Sequence, residues 1–267
     1  MMDKKELLAI FDREMRMDLR LPGMTYEQTG RIVRDYSLTE NTGFIDYSAL
    51  DETCADAEID AQTAYFQSRG MPFAWKVFDH DRPPDLRQRL AARGFTIEKP
   101  NALMILDLDN APGFYWSMAL PDDVKRIMDR AGVEDIVRLE EEVYQSPRGW
   151  LRKHLFHILD TSPDQISFYA VSIDDRIVSA AWISYYPATQ FASLLGGATL
   201  PEFRKRGYYT ALFVTRAREA RQRGCRFLTV NASLMSAPIL EKHGFQCLGF
   251  STVCRWTPEQ VLIVGEP

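Results

Sequence analysis

The stretch Gly196-Gly197-Ala198-Thr199-Leu200-Pro201-Glu202-Phe203-Arg204-Lys205-Arg206-Gly207-Tyr208-Tyr209-Thr210 constrains this chain more than any other. An apolar run, Phe191 to Leu195, leads into it, and an amphipathic helical pattern from about Gly207 to Arg223 leads out. Between them lies a short turn with three basic side chains and a glycine. The order is strand, turn, helix N-terminus. The first N–H groups of a helix have no partner inside it, and with the helix dipole they make a site for phosphate. Gly207 has no Cβ and lets a ligand approach the backbone. Arg204 and Arg206 add charge-assisted contacts.

The remainder of the chain fits a soluble α/β protein. Of its 267 residues, 46% are apolar and 26% charged, near the globular average, enough to bury a core in one large domain or two small ones. A net charge of −5 argues against non-specific nucleic-acid binding and against an anionic-membrane role. Cys54, Cys225, Cys247 and Cys254 form no C-x-x-C pair, and His80, His154, His157 and His243 are scattered, so no metal site is expected. The opening Met1-Met2-Asp3-Lys4-Lys5-Glu6 runs straight into a charged helical pattern instead of a signal peptide. No apolar stretch approaches the length of a membrane span, and the expected location is cytoplasmic, with reduced thiols.

Periodicity and breakers divide the first part into a helix over 3–18, a strand near Arg31–Tyr36, an ambiguous segment Gly43–Tyr47, a helix over 55–69 ended by Gly70, a strand Phe73–Phe78, a helix opened by Pro83-Pro84 and stopped by Gly94-Phe95, and a strand Leu103–Leu108. The turn cluster Asp109-Asn110-Ala111-Pro112-Gly113 marks a boundary, giving domains 1–110 and 111–267. Beyond it the pattern predicts a strand Tyr115–Ala119, a helix opened by Pro121-Asp122-Asp123, and helices Val133–Tyr144 and Trp150–Asp160. Strands Ile166–Ser172, Ile177–Tyr186 and Phe191–Ala198 follow. On the helix after the basic turn, Tyr209, Leu212, Phe213, Ala217 and Ala220 share a face, and Arg216, Arg218, Arg221 and Arg223 read as solvated. A strand Phe227–Asn231, a helix Ala237–His243 stopped by Gly244-Phe245, and strands Gln246–Gly249 and Thr252–Trp256 complete the chain.

Two parts look alike. Gln67-Ser68-Arg69-Gly70, a strand, Leu90-Ala91-Ala92-Arg93-Gly94-Phe95 and a strand are echoed by Gln222-Arg223-Gly224, a strand, Leu240-Glu241-Lys242-His243-Gly244-Phe245 and a strand. This reads either as duplication of one supersecondary unit or as recurrence of a common α/β motif. Upstream of Gly70 there is no Arg-x-x-Gly turn, and Asp46, Asp51, Glu52, Asp56 and Glu58 would repel a pyrophosphate. The first copy is therefore read as degenerate, leaving one phosphate site per chain.

Arg204-x-x-Gly207-x-Tyr209, after a strand and Pro201, resembles the acyl-CoA-binding motif of the GNAT superfamily of N-acetyltransferases, Arg/Gln-x-x-Gly-x-Gly/Ala, with Tyr209 in place of the last small residue. The likeness covers about 114–256 well and 1–110 faintly. It implies an α/β (α+β) fold: a mixed, mostly antiparallel GNAT-type sheet flanked by helices, with a smaller, degenerate N-terminal GNAT-like half. It also implies acetyl-CoA as cosubstrate and direct attack on its thioester by the uncharged amine of a small molecule or amino acid. By the same resemblance, Ala198 and Thr199 end a splayed strand that meets the pantetheine, and Arg204, Lys205, Arg206, Gly207, Tyr208, Tyr209 and Thr210 cradle the pyrophosphate. Asn231 matches a frequent Asn at the end of the next strand, and Ser236 a polar residue at the start of the next helix.

A backbone N–H near Thr199 would polarise the thioester carbonyl. Leu240 stands where many members carry a tyrosine that protonates the leaving thiolate, and Phe191–Leu195 lacks the acid that many members use as base. Glu140, Glu141 and Glu142 either supply that base or form a solvated surface. Tyr144, Trp150, Trp182, Tyr185 and Tyr186 either shape the acceptor pocket or pack in the core. Catalytic residues are thus unassigned. The expected partner is a small-molecule amine, with no nucleic acid, no membrane and no metal, and a homodimer is left open. The alternatives are a non-catalytic CoA-binding regulatory module and an acetyltransferase for protein N-termini or lysines.

Overall fold

The computed structural model describes residues 2–258. In chain order its first elements are α1 (Lys4–Asp12), prolonged by a π-helical segment (Arg13–Met17), β1 (Thr25–Thr29), β2 (Ile32–Ser37), β3 (Thr42–Ser48), α2 (Ala55–Gln67), β4 (Phe73–Phe78), α3 (Leu86–Ala91), β5 (Thr96–Ile97) and β6 (Asn101–Asp107). There follow α4 (Phe114–Ser117), β7 (Val124–Ile127), α5 (Arg130–Tyr144), α6 (Gly149–Thr161), β8 (Ile166–Ile173), β9 (Arg176–Tyr185), β10 (Phe191–Thr199), α7 (Tyr208–Gln222), β11 (Phe227–Ala232), α8 (Ala237–Lys242) and β12 (Gln246–Trp256). Pairing is mostly antiparallel, as expected; β3 with β4 and β10 with β11 run parallel. Among the described residues no helix is long and apolar enough to cross a membrane.

Two compact units, each discontinuous in sequence, make up the chain. One gathers Met2–Leu103, Asn231–Ala237 and the described residues from Cys247 on. In it β1, β2, β3, β4 and β12 pair in that order, and β5 adds a short pairing to β12. Ile32, Ile45, Trp75 and Val77 from the strands meet Ile59 and Phe66 of α2 and Leu86 and Leu90 of α3 in one core. Helical spacing of Ile59, Gln62 and Phe66 turns that side of α2 inward.

The strand faces away from α2 carry charge. Asp35 lies opposite Tyr26 across the β1–β2 pair, is only 4% exposed, and its Oδ1 has no hydrogen-bond partner. Burial, with the Asp46 carboxylate beside it, pushes the Asp35 carboxyl up to about 8. Its folded-state pKa therefore exceeds its unfolded one, so the protonated form stabilises the fold fully below pH ~4 and that contribution is lost as pH rises toward ~8. The Asp35→Asn protein is accordingly expected to melt higher than the parent at pH 8, with the difference closing toward pH 4, in thermal unfolding followed by circular dichroism. A melting difference independent of pH would refute the assignment.

The second unit holds Met104–Val230 and Pro238–Gln246. Its sheet order is β7, β8, β9, β10, β11. Phe168, Ala170, Val178, Ala180 and Trp182 pack with Val133, Ile136 and Val137 of α5 and with Leu151 and Leu155 of α6. On the alternate positions Ser167 and Tyr169 donate hydrogen bonds to Glu219 of α7, at 2.8 and 2.9 Å. Period-two alternation along β8 thus separates the α5–α6 side from the α7 side.

Several local expectations gave way to tertiary packing. Tyr115–Ala119 is not a strand: Phe114–Ser117 form a single helical turn, held by the buried Tyr115, whose hydroxyl donates to the His243 carbonyl at 2.7 Å. Pro121-Asp122-Asp123 opens no helix; the next residues extend as β7 along β8. The helix begins later, where Asp129 caps α5 by accepting from the Gly132 N–H at 2.7 Å. Gln246–Gly249 and Thr252–Trp256 are one continuous strand. The polar strand β1 carried no apolar alternation to announce it.

Candidate functional site

In the second unit β10 and β11 pair in parallel only from Phe191↔Phe227 to Ser193↔Thr229, yet β10 runs on to Thr199. The Leu194–Thr199 segment thus leaves β11 while staying paired to β9. Within it Gly197 is skipped by the register, which passes from Gly196↔Ala181 to Ala198↔Ala180. That bulge needs its glycines. Gly196 and Gly197 have φ of 65° and 103°, and a Cβ on Gly196 would lie 2.2 Å from the Trp182 ring. A bulge residue's N–H has no ladder partner, so Gly197 adds a free donor to this strand beside Thr199. The Thr199 hydroxyl shares a 2.7 Å hydrogen bond with the buried Ser179, which also bonds to the Ala198 carbonyl at 3.2 Å.

The turn after β10 gathers the other expected residues. Lys205 and Gly207 both take left-handed φ, 63° and 86°. Turns of this kind collect backbone N–H groups into anion-binding concavities, and a non-glycine residue held there stores about 1–3 kcal/mol of strain. Gly207 is the N-cap of α7, makes no side-chain cap, and has nothing within 4 Å of where a Cβ would stand. The Ala211 N–H bonds to the Gly207 carbonyl at 2.9 Å, so the N–H groups of Tyr208, Tyr209 and Thr210 precede that first helical bond. Arg204 Nε donates to the Thr199 carbonyl at 3.1 Å and Arg206 Nη2 to the Glu202 carbonyl at 3.2 Å. Among the described residues none of Arg204, Lys205 and Arg206 has an ion pair. Three cations without carboxylates thus surround an uncapped helix N-terminus at the foot of a splayed strand, and that arrangement fits a pyrophosphate followed by an extended chain with amide groups.

The other unit repeats the plan with the anion site filled. There β3 pairs with β4 in parallel only from Gly43↔Phe73 to Ile45↔Trp75, and a helix, α2, lies between them in sequence. The Ala55 N–H bonds to the Asp51 carbonyl at 3.1 Å, so Asp51 starts the first helical turn. Its Oδ1 accepts from the N–H groups of Thr53 and Cys54 at 2.9 and 3.1 Å, and Arg31 pairs with its other oxygen. Hydrogen bonds from Thr53, then Arg31, then Cys54, hold this carboxyl well below the usual carboxylate range. A carboxylate of the chain occupies the position that is open on α7.

Arg216 departs from its sequence reading. It is not solvated but 3% exposed, and no carboxylate pairs with it among the described residues. Its Nη1 donates to the Trp182 and Leu195 carbonyls at 3.0 and 3.3 Å and its Nε to the Leu212 carbonyl at 3.0 Å. Burial brings it down to about 10, which leaves it charged at neutral pH. Spacing held the clue: Arg216 follows Leu212 by four positions and Tyr209 by seven, both on the buried face.

The three glutamates separate. Glu142 pairs with Arg176, and Glu141 accepts from the Arg148 N–H at 2.9 Å and faces Arg152. Glu140 is 5% exposed, its Oε1 lacks a partner, and burial raises its pKa against the opposing pull of Arg148. Tyr144 and Trp150 are exposed at the α5–α6 turn, whereas Trp182 and Tyr185 are buried. Leu240 is buried. Asn231 and Ser236 fall in the first unit, where Asn231 accepts from the Ser251 hydroxyl at 3.3 Å and the Ser236 hydroxyl bonds to that of Ser233 at 3.0 Å.

Residues 133–245 match the acetyltransferase (GNAT) family. No curated protein matches the sequence. Among solved structures the chain is similar to a functionally unknown conserved protein from Staphylococcus epidermidis (TM-score 0.66, 12% identity, 94% of this chain and 99% of that one). It is also similar to a GCN5-related N-acetyltransferase from Kribbella flavida (0.62, 12%, 94% and 93%). A tandem GNAT protein from the clavulanic acid biosynthesis pathway aligns as well (0.60, 13%, 90% and 85%). At these identities the likeness is one of fold, and it runs through both units.

Proposed function

We propose that the chain, whose residues 133–245 form a domain of the acetyltransferase (GNAT) family, moves an acetyl group from acetyl-CoA to the amine of a small molecule or amino acid. The observation that carries this reading is the uncapped N-terminus of α7, ringed by Arg204, Lys205 and Arg206, beside the segment of β10 that has parted from β11. Thioester and amine would meet at the bulge. There the Gly197 N–H would polarise the carbonyl oxygen. Glu140, a buried carboxylate with a free oxygen, is the base we assign to the amine proton. Tyr144 and Trp150 form the exposed aromatic margin for the acceptor. The N-terminal half, set at 1–110 by its sequence, holds no acetyl-CoA in this scheme.

Incubation with acetyl-CoA and a panel of amines, with released thiol read by a colorimetric reagent, tests the reading. Amine-dependent thiol release supports it. Calorimetric binding of acetyl-CoA with no turnover across the panel would instead identify a regulatory module, which the missing tyrosine at Leu240 favours. Absence of binding would remove the site itself.

A further inference from the structure

Tyr209 stands where the motif has a small residue, and Arg216 is a buried cation with no carboxylate partner among the described residues. They are seven residues apart on α7, hence on the same helix face about two turns apart. The Tyr209 ring meets the bulge, its Cε2 lying 3.6 Å from where a Cβ on Gly197 would stand. The His243 ring is also near it, 6.4 Å between centroids. Arg216 contacts the same strand two residues earlier, at the Leu195 carbonyl. Its bond to the Leu212 carbonyl shows that the side chain leans back toward the start of the helix, toward Tyr209. Both side chains therefore line the part of β10 that has left β11.

We infer that the Tyr209 phenol gives its proton to the sulfur that leaves the thioester, and that the Arg216 charge stabilises the phenolate left behind. This rests on the acetyl-transfer reading above. The amine nitrogen forms a bond to the carbonyl carbon, the carbon–sulfur bond breaks, and its electron pair stays on sulfur. The phenol proton completes the thiol of CoA. The proton shed by the amine returns to the phenolate through the base and water, so no further reactant is consumed. A thiolate expelled into a gap away from water is costly, and a donor fixed at the point of departure lowers that cost.

The surroundings agree. Burial raises the Tyr209 phenol while the Arg216 charge pulls it back. Three carbonyls accept from Nε and Nη1 of Arg216 but supply no opposite charge, and a buried unpaired charge is otherwise costly. His243, Tyr115 and Tyr185 also face this place: burial lowers the His243 pKa, which leaves a neutral ring and a weak acid, while burial raises the phenols of Tyr115, whose hydroxyl is held by the His243 carbonyl, and of Tyr185.

The test compares the parent with Tyr209→Phe and Arg216→Met in steady-state kinetics over pH, with acetyl-CoA affinity measured by calorimetry. Tyr209→Phe is expected to lower kcat about 10- to 100-fold, to keep acetyl-CoA affinity within about twofold, and to abolish the alkaline limb of the kcat profile. Arg216→Met should move that limb to higher pH. A Tyr209→Phe protein as fast as the parent, one that no longer binds acetyl-CoA, or one that binds tighter and turns over faster would each overturn the inference; the last would make the ring a plug. Failure of the parent itself to acetylate any amine would be seen first and would remove the reaction on which the inference stands.

Discussion

Gly207→Glu is expected to abolish measurable acetyl-CoA binding, weakening it at least about 100-fold, or about 2.7 kcal/mol. Space is not the obstacle, since a Cβ at this position meets nothing within 4 Å. Two other effects add. An L-residue at a φ of 86° is strained by about 1–2 kcal/mol. The new carboxylate would also cancel the positive end of the α7 dipole and repel a pyrophosphate that the three neighbouring cations are arranged to attract. Gly207→Ala separates the effects, because it carries the strain without the charge, and it should lose only a small part of the affinity. Calorimetric titration of both proteins, with melting curves to establish that each is folded, gives the answer. Parent-like affinity in Gly207→Glu would mean that the helix end is not where the phosphate sits.

For Glu140→Gln two readouts should move in opposite directions. As a lost base it should lower kcat by about 100- to 10,000-fold. Its stability should rise. The folded-state pKa of Glu140 is raised by burial, so its contribution is greatest below the unfolded value and is lost as pH climbs through the folded one. Once Glu140 is ionised, the parent carries a buried, poorly partnered carboxylate that glutamine replaces with a neutral amide. A higher melting temperature with lost turnover is the signature of a group kept for chemistry at the expense of the fold. Unchanged kcat would end its candidacy as base.

How far the sequence disclosed this depended on whether the signal was local. The strand–turn–helix at Thr199–Thr210 was legible because glycine, proline and arginine report on their own backbone surroundings. So was the duplicated plan, through Gly70, Gly94, Gly224 and Gly244. The opening between β10 and β11 was not, since it is a matter of which residues stop pairing, and register is set between distant segments. The same holds for the Trp182 ring beneath Gly196 and for the bulge at Gly197. Pro121-Asp122-Asp123 carries sound helix-opening chemistry, but an edge beside β8 was available and took the segment. Arg216 was misjudged on residue type although its spacing from Leu212 and Tyr209 placed it inside.

Asp51 decides how the two-unit chain responds to its surroundings. A carboxylate tethered beside that helix start competes there with dissolved anions as an intramolecular partner. In the acetyl-transfer reading this leaves the N-terminus of α7 as the anion site for acetyl-CoA among the described residues. Despite its repeated architecture, the chain should titrate along a simple hyperbola with a stoichiometry of one, with no second site to give cooperativity.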